Sequence, residues 1–135
     1  MKNSFFKWQL IGFVVTVICG VLLHFLYEWS GESIWVAPIS AVNESTWEHM
    51  KLLFIPMFIF AIIESFYFKE KEDFWDIKLR GIVLGIILIP VMFYTYNGVI
   101  GNSPDWINIA IFFIMTPLYY IILINILQVF CNILS

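Results

Sequence analysis

Charge is scarce in this sequence: of 135 residues only 7 are Lys or Arg and 10 are Asp or Glu, against 61% hydrophobic and 19% aromatic residues. That balance excludes an ordinary soluble domain, which has no means of hiding so much apolar surface from water. It also leaves no basic, aromatic-interleaved surface, so no nucleic-acid partner is expected. Cysteine is nearly lacking too. Cys19 and Cys131 both fall in apolar segments, where they read as small hydrophobes and imply neither a disulfide nor a zinc knuckle. No glycine-rich phosphate loop, no Ser-His-Asp arrangement, no H-E-x-x-H, no internal repeat and no low-complexity tract stands in the chain.

What is plentiful is long apolar runs. They predict an all-α, polytopic transmembrane helix bundle, a single domain over 1–135, with approximate spans at 8–27, 47–68, 79–97 and 106–128. The bilayer is then the first partner. A helix rises about 1.5 Å per residue and the hydrocarbon core is about 30 Å thick, so the shorter runs need Trp47, Trp75, Tyr94 and Tyr96 as flanks. The last run has the opposite problem. Unbroken from Trp106 to Leu134 it is about 43 Å long and must tilt, kink or break, with Pro117 the natural place. Pro56 and Pro90 read as ordinary membrane-helix geometry.

Orientation follows from the basic residues. Lys2 and Lys7 precede the first span, and Lys69, Lys71, Lys78 and Arg80 fall between the second and third, which makes that side cytoplasmic. Lys51 stands alone on the other side, against Glu28, Glu32, Glu44, Glu48 and Asp105. The expectation is a multi-pass protein of the cell membrane with a cytoplasmic N-terminus, and a 69–80 connection lying along that surface. The first run is kept as a span, because it is long for a signal core and no small-x-small cleavage pattern follows it.

Polar residues gather abruptly around the first outer connection. His24 and Glu28 are four apart, which puts both on one helix face, and Glu44 and Glu48 repeat that spacing with His49 beside them. His24, Glu28, Glu48 and His49 form a candidate cation site, since imidazoles and carboxylates are the ligands a divalent metal ion takes. Asn43, Glu44 and Ser45 are placed at its rim or in capping. Ser45-Thr46-Trp47-Glu48 fits the capping box, in which Ser45 caps a helix and Glu48 reaches back to a free backbone amide. Capping accounts for these residues without any ligand, but it leaves His24, Glu28 and His49 unexplained. An alternative for those three is a set of interfacial side chains bonding one another and lipid headgroups.

The run Asn43-Glu44-Ser45-Thr46-Trp47-Glu48-His49-Met50-Lys51, preceded by H-x-x-x-E-W-S, resembles the N-E-S-x-W-E-H-x-K motif of an uncharacterised family of small bacterial integral membrane proteins. The resemblance covers about Leu22 to Glu64. It implies no activity and no site residues, and it implies relatives with a longer C-terminal part.

Two further features remain. Glu64 lies about 22 Å along the second helix from His49 and reads as an interface glutamate paired with Lys69. Asn125, Gln128 and Asn132 form a polar stripe that could join helices within the chain or between copies, making a homo-oligomer. Three function classes are consistent with this pattern: a module that binds a divalent cation or cationic group at the outer polar site, or a small transporter or channel using that mouth and Glu64; a metal-dependent membrane hydrolase or transferase acting on lipid-like substrates; and a noncatalytic scaffold or partner subunit.

Overall fold

A computed structural model describes residues 2–68, 74–101 and 104–133, with all helix side chains except those at 2, 3, 5, 105, 108 and 123–133. The described residues form four α-helices and no strand: α1 (Lys2–Trp29), α2 (Thr46–Tyr67), α3 (Phe74–Ile100) and α4 (Asp105–Ile133). Three are long and apolar enough to cross a membrane, over Phe6–Trp29, Thr46–Tyr67 and Phe74–Ile100, and α4 carries a shorter apolar stretch, Ile109–Ile122. The architecture is a helical membrane bundle. The side chains of Asn125, Gln128 and Asn132 lie outside the described residues.

Two helices carry features that sequence alone leaves open. α4 runs unbroken through Pro117 for 29 residues. A proline removes one backbone donor, but a membrane helix tolerates the freed carbonyl, and beside it the Thr116 hydroxyl donates to the Phe112 carbonyl at 2.8 Å. α3 begins at Phe74 rather than near 79, so Lys78 belongs to a helix and not to a surface connection.

Each helix packs beside its neighbours in sequence, α4 closes back on α1, and α2 reaches α4 across the middle while the α1 and α3 backbones stay apart. α2 is the hub. Its buried positions, including Leu52, Leu53, Pro56, Met57, Phe60 and Ala61, recur in adjacent pairs four residues apart along one broad face, while Phe54, Ile59, Ile62 and Ile63 point outward. α1 is built the other way round. Its buried face is Gln9, Gly12, Thr16 and Gly20, while Leu10, Ile11, Val14, Ile18 and Leu22 point outward. Small residues four apart let helices approach closely where lipid, not water, covers the apolar face. A Cβ on Gly12 would stand 2.6 Å from a Phe60 ring carbon, and one on Gly20 would stand 2.5 Å from the Phe112 ring. Thr16 and Tyr120 share a buried hydroxyl–hydroxyl bond of 2.8 Å.

At the end of the bundle where α1 starts, a charged group is wholly interior. Glu64 is 0% exposed and Lys78 3%, and they form an ion pair linking α2 to α3. Gln9 of α1 serves both charges: its amide nitrogen donates to Glu64 Oε1 at 2.7 Å, and Lys78 Nζ donates to its amide oxygen at 3.0 Å. The partner of Glu64 is therefore Lys78, the expected Lys69 lying outside the described residues, and the carboxylate sits in the core rather than at an interface. Burial demands this triangle, because an unpaired ion in such surroundings is far costlier than a paired, hydrogen-bonded one.

Candidate functional site

At the opposite end of the bundle, the chain leaves α1 after Trp29 and turns sharply, with Gly31 at φ 69° and Glu32 at φ 60°. A long connection follows before α2. Two contacts pin it across the start of that helix: Lys51 Nζ donates to the Ala37 carbonyl at 3.0 Å, and the Val42 amide donates to Glu48 Oε2 at 3.0 Å. Ser45 caps α2 from an extended conformation, its hydroxyl accepting from the Glu48 amide at 3.4 Å. The Ser45 amide bonds Asn43 Oδ1 at 3.0 Å, so the Glu48 carboxylate reaches back three residues further, to Val42, than a reciprocal capping box would have it.

That local folding decides which carboxylate meets the histidines. Glu48 faces the loop and pairs with Lys51 at 2.6 Å. Glu28 is exposed near the end of α1. Glu44, in the turn before the cap, stands between the rings instead: Oε1 is 3.4 Å from His24 Nε2 and Oε2 is 3.4 Å from His49 Nε2. The ring centroids of His24 and His49 are 5.7 Å apart and tilted by 43°. Of the residues singled out from the sequence, the structure thus brings together His24, His49 and Glu44, and keeps Glu28 and Glu48 out of the group. Among the described residues no set of three or more His, Cys, Asp or Glu side chains is placed to hold a metal ion.

The hydrogen bonds around His49 set its chemistry. Its Nδ1 lies 2.9 Å from the Ser45 carbonyl, which only accepts, so the geometry assigns a proton to Nδ1. In the neutral ring Nε2 then carries a lone pair, and it faces another acceptor, the Glu44 carboxylate. Nε2 is buried with no hydrogen-bond partner, in a residue only 4% exposed. Two acceptors so close are reconciled by a proton on Nε2 or by a donor from elsewhere, and the carboxylate, 43% exposed, is open to either.

Beside the histidines lies a cavity of about 230 Å³, walled mainly by α1 and α4. α1 contributes Gly20, Val21 and Phe25 to its wall and α4 contributes Ile109, Phe112 and Phe113; Leu52 adds to it from α2. His24 and His49 border it only through apolar atoms. Trp29, Trp35 and Trp47 are well exposed at this same end, as interfacial tryptophans are in membrane proteins.

Sequence reading leaves Glu44 at the rim and overlooks the roles of Gln9 and Lys78. Glu44 was assigned to the rim because spacing cannot show which acid a loop turns inward. Lys78 and Gln9 carried a signal that was legible in principle: Lys78 is in phase with Phe74, Gly81, Ile82, Gly85 and Ile89, and Gln9 with Gly12, Thr16 and Gly20.

No curated protein and no solved structure matches the chain. A family does, over residues 1–133 and thus well beyond the stretch that carries the histidine motif: the chain belongs to the family of unknown function DUF6512.

Proposed function

We propose that this is a multi-pass membrane protein with a cytoplasmic N-terminus that binds a cationic group at its opposite face, between His24, Glu44 and His49. The observation that carries this reading is the Glu44 carboxylate set 3.4 Å from Nε2 of both His24 and His49, with the His49 Nε2 buried and without a hydrogen bond. A primary ammonium supplies three N–H donors and one positive charge, which matches two imidazole nitrogens and a carboxylate better than it matches a metal ion's demand for fixed coordination. The orientation rests on Lys2, Lys7, Lys69, Lys71 and Arg80; Lys78, being buried in an ion pair, no longer counts toward it.

The test is a titration of detergent-purified protein with ethylammonium, followed by the imidazole resonances of residues 24 and 49, with zinc and manganese titrated in parallel. Ethylammonium is expected to shift both rings, and Glu44→Gln is expected to weaken it by about tenfold, the loss of one charge-assisted contact. Glu28→Gln is expected to leave it unchanged. Binding of a metal in preference to ethylammonium would replace the ammonium reading with a metal one. If nothing binds and Glu44→Gln lowers the melting temperature, the cluster is a clasp between α1 and α2 and the scaffold reading stands.

A further inference from the structure

We infer that the connection between α1 and α2 is a membrane-anchoring surface, with Ile34 and Trp35 seated in the lipid leaflet at this end of the bundle, whichever side faces the cytoplasm and whatever binds at the histidines. The stretch is apolar throughout. No charged residue stands from Ile34 to Val42, and Ser40, the one hydroxyl there, is 0% exposed and donates to the Val36 carbonyl at 2.9 Å. Ile34 and Trp35 are nonetheless 78% and 88% exposed. Standing free in water, both side chains would be hydrated at a cost, whereas tryptophan concentrates where lipid meets water.

The backbone of the connection is prepared for that place. Lipid tails offer no hydrogen bonds, so irregular backbone beside them has to satisfy its own polar groups. The Val36 and Ala37 amides both bond the Ser33 carbonyl, at 3.0 and 3.3 Å, and the Ile39 and Ser40 amides both bond the Val36 carbonyl, at 3.0 and 3.1 Å. Pro38, between them, has no amide hydrogen to place. The Ala37 carbonyl and the Val42 amide are taken by Lys51 and Glu48, so that ion pair acts as a clamp on the connection. Ala41 is buried in the same core as Leu52 and Leu53, which shows that the connection folds back onto the bundle and does not project.

Depth follows from the helices. The apolar part of α1, Phe6–Trp29, is about 36 Å long at about 1.5 Å per residue and outruns a hydrocarbon core of about 30 Å. Trp29 therefore stands at the edge of that core, and a connection folded back from it lies at the same edge, with exposed Trp47 at its other end. The occupant of the exposed apolar surface is then lipid, because Ile34 and Trp35 continue the interfacial belt that Trp29 and Trp47 begin. Irregular backbone does not enter the hydrocarbon itself, which sets the seat at the boundary of headgroups and acyl chains.

The experiment uses the full chain in phosphatidylcholine bilayers, in a variant lacking Cys19 and Cys131, with a nitroxide attached in turn at Glu32→Cys, Ile34→Cys, Trp35→Cys and, as a lipid-facing reference in the middle of α1, Ile18→Cys. Electron paramagnetic resonance compares collisions with oxygen, which gathers in lipid, and with a water-soluble nickel chelate. Positions 34 and 35 are expected to favour oxygen over nickel, less strongly than position 18, while position 32 favours nickel. Nickel accessibility at 34 and 35 equal to that at 32 would place the surface in water and overturn the inference. Low collision rates with both reagents would mean that protein covers it, such as a second copy, and would overturn it equally. A second readout keeps the native side chains elsewhere in the connection: the emission lost in Trp35→Phe is expected to be emission that phosphatidylcholine brominated near the glycerol quenches in the parent. Loss of an unquenched component instead would refute the seating of Trp35.

Discussion

Replacing Lys78 by Met is the sharpest test of how the bundle is held together. The substitution preserves length and removes one charge, leaving the Glu64 carboxylate fully buried with a single neutral donor, the Gln9 amide at 2.7 Å. Breaking a buried pair by removing one partner typically costs about 3–5 kcal/mol, most of it the penalty of an uncompensated ion. Glu64→Met should cost a comparable amount from the other side. The double variant is expected to recover most of the loss, since well-packed apolar replacements of a buried pair are often neutral. What remains should be about 1–3 kcal/mol from the stranded Gln9 amide, which a third change, Gln9→Met, removes. Unfolding of the purified protein by SDS in mixed micelles, read by circular dichroism, supplies the four corners of the cycle. A coupling between positions 64 and 78 above about 2 kcal/mol is expected, since residues that share an ion pair are strongly non-additive. Additive effects, or Lys78→Met indistinguishable from the parent, would show that the two charges do not depend on each other and would refute the reasoning.

Four other outcomes are expected. Gly12→Val should destabilise by about 1–3 kcal/mol in the same assay, because its side chain meets the Phe60 ring and the Tyr120 hydroxyl, whereas Gly98→Ala, with nothing within 4 Å of the new Cβ, should be neutral or stabilising by up to about 1 kcal/mol; the reverse order would contradict the packing. Thr16→Val should cost about 1–3 kcal/mol by stranding the Tyr120 hydroxyl, and Tyr120→Phe added to it should restore part of that loss. Ser45→Ala should cost about 1 kcal/mol through the lost cap, and it should weaken ethylammonium binding by loosening the turn that carries Glu44; unchanged binding would show that the cap does not orient the site. In a variant lacking Cys19 and Cys131, an impermeant thiol reagent added to whole cells should reach Glu32→Cys and not Asp73→Cys, and labelling at 73 alone would invert the proposed orientation.

The helices were largely legible because membrane helices announce themselves by length and apolarity, which needs no tertiary information. The start of α2 was legible from Asn43 to Glu48, where the cap is written in local side-chain chemistry. The start of α3 was not. Lys78 looked like part of a charged connection, and only the presence of Glu64 and Gln9 on two other helices allows the helix to begin at Phe74 with that lysine inside. Spacing on α1 and the start of α2 placed His24 and His49 at one depth, but the acid between them was decided by the competition for amides in the loop. Glu48 answered Val42 and Lys51, which left Glu44 free to turn toward the rings. Such choices depend on contacts between segments and leave no mark on sequence periodicity.

The placement of the interior ion pair also bears on how the chain enters the membrane. Glu64 lies in the last turn of α2 and Lys78 in the second turn of α3, on either side of a short connection. Threaded singly, each helix would carry a naked charge toward hydrocarbon, at a cost that reaches about 2.5–3.5 kcal/mol for lysine at a helix centre and is smaller for these two positions nearer the helix ends. Presented together, the two charges cancel before either is stripped of water. The pair thus makes α2 and α3 a natural hairpin for insertion. α1 adds to it the Gln9 amide, which is uncharged and gains its partners only when it meets that pair. Biogenesis of this protein would then proceed by docking a single helix onto a preformed pair, with α4 closing the ring last.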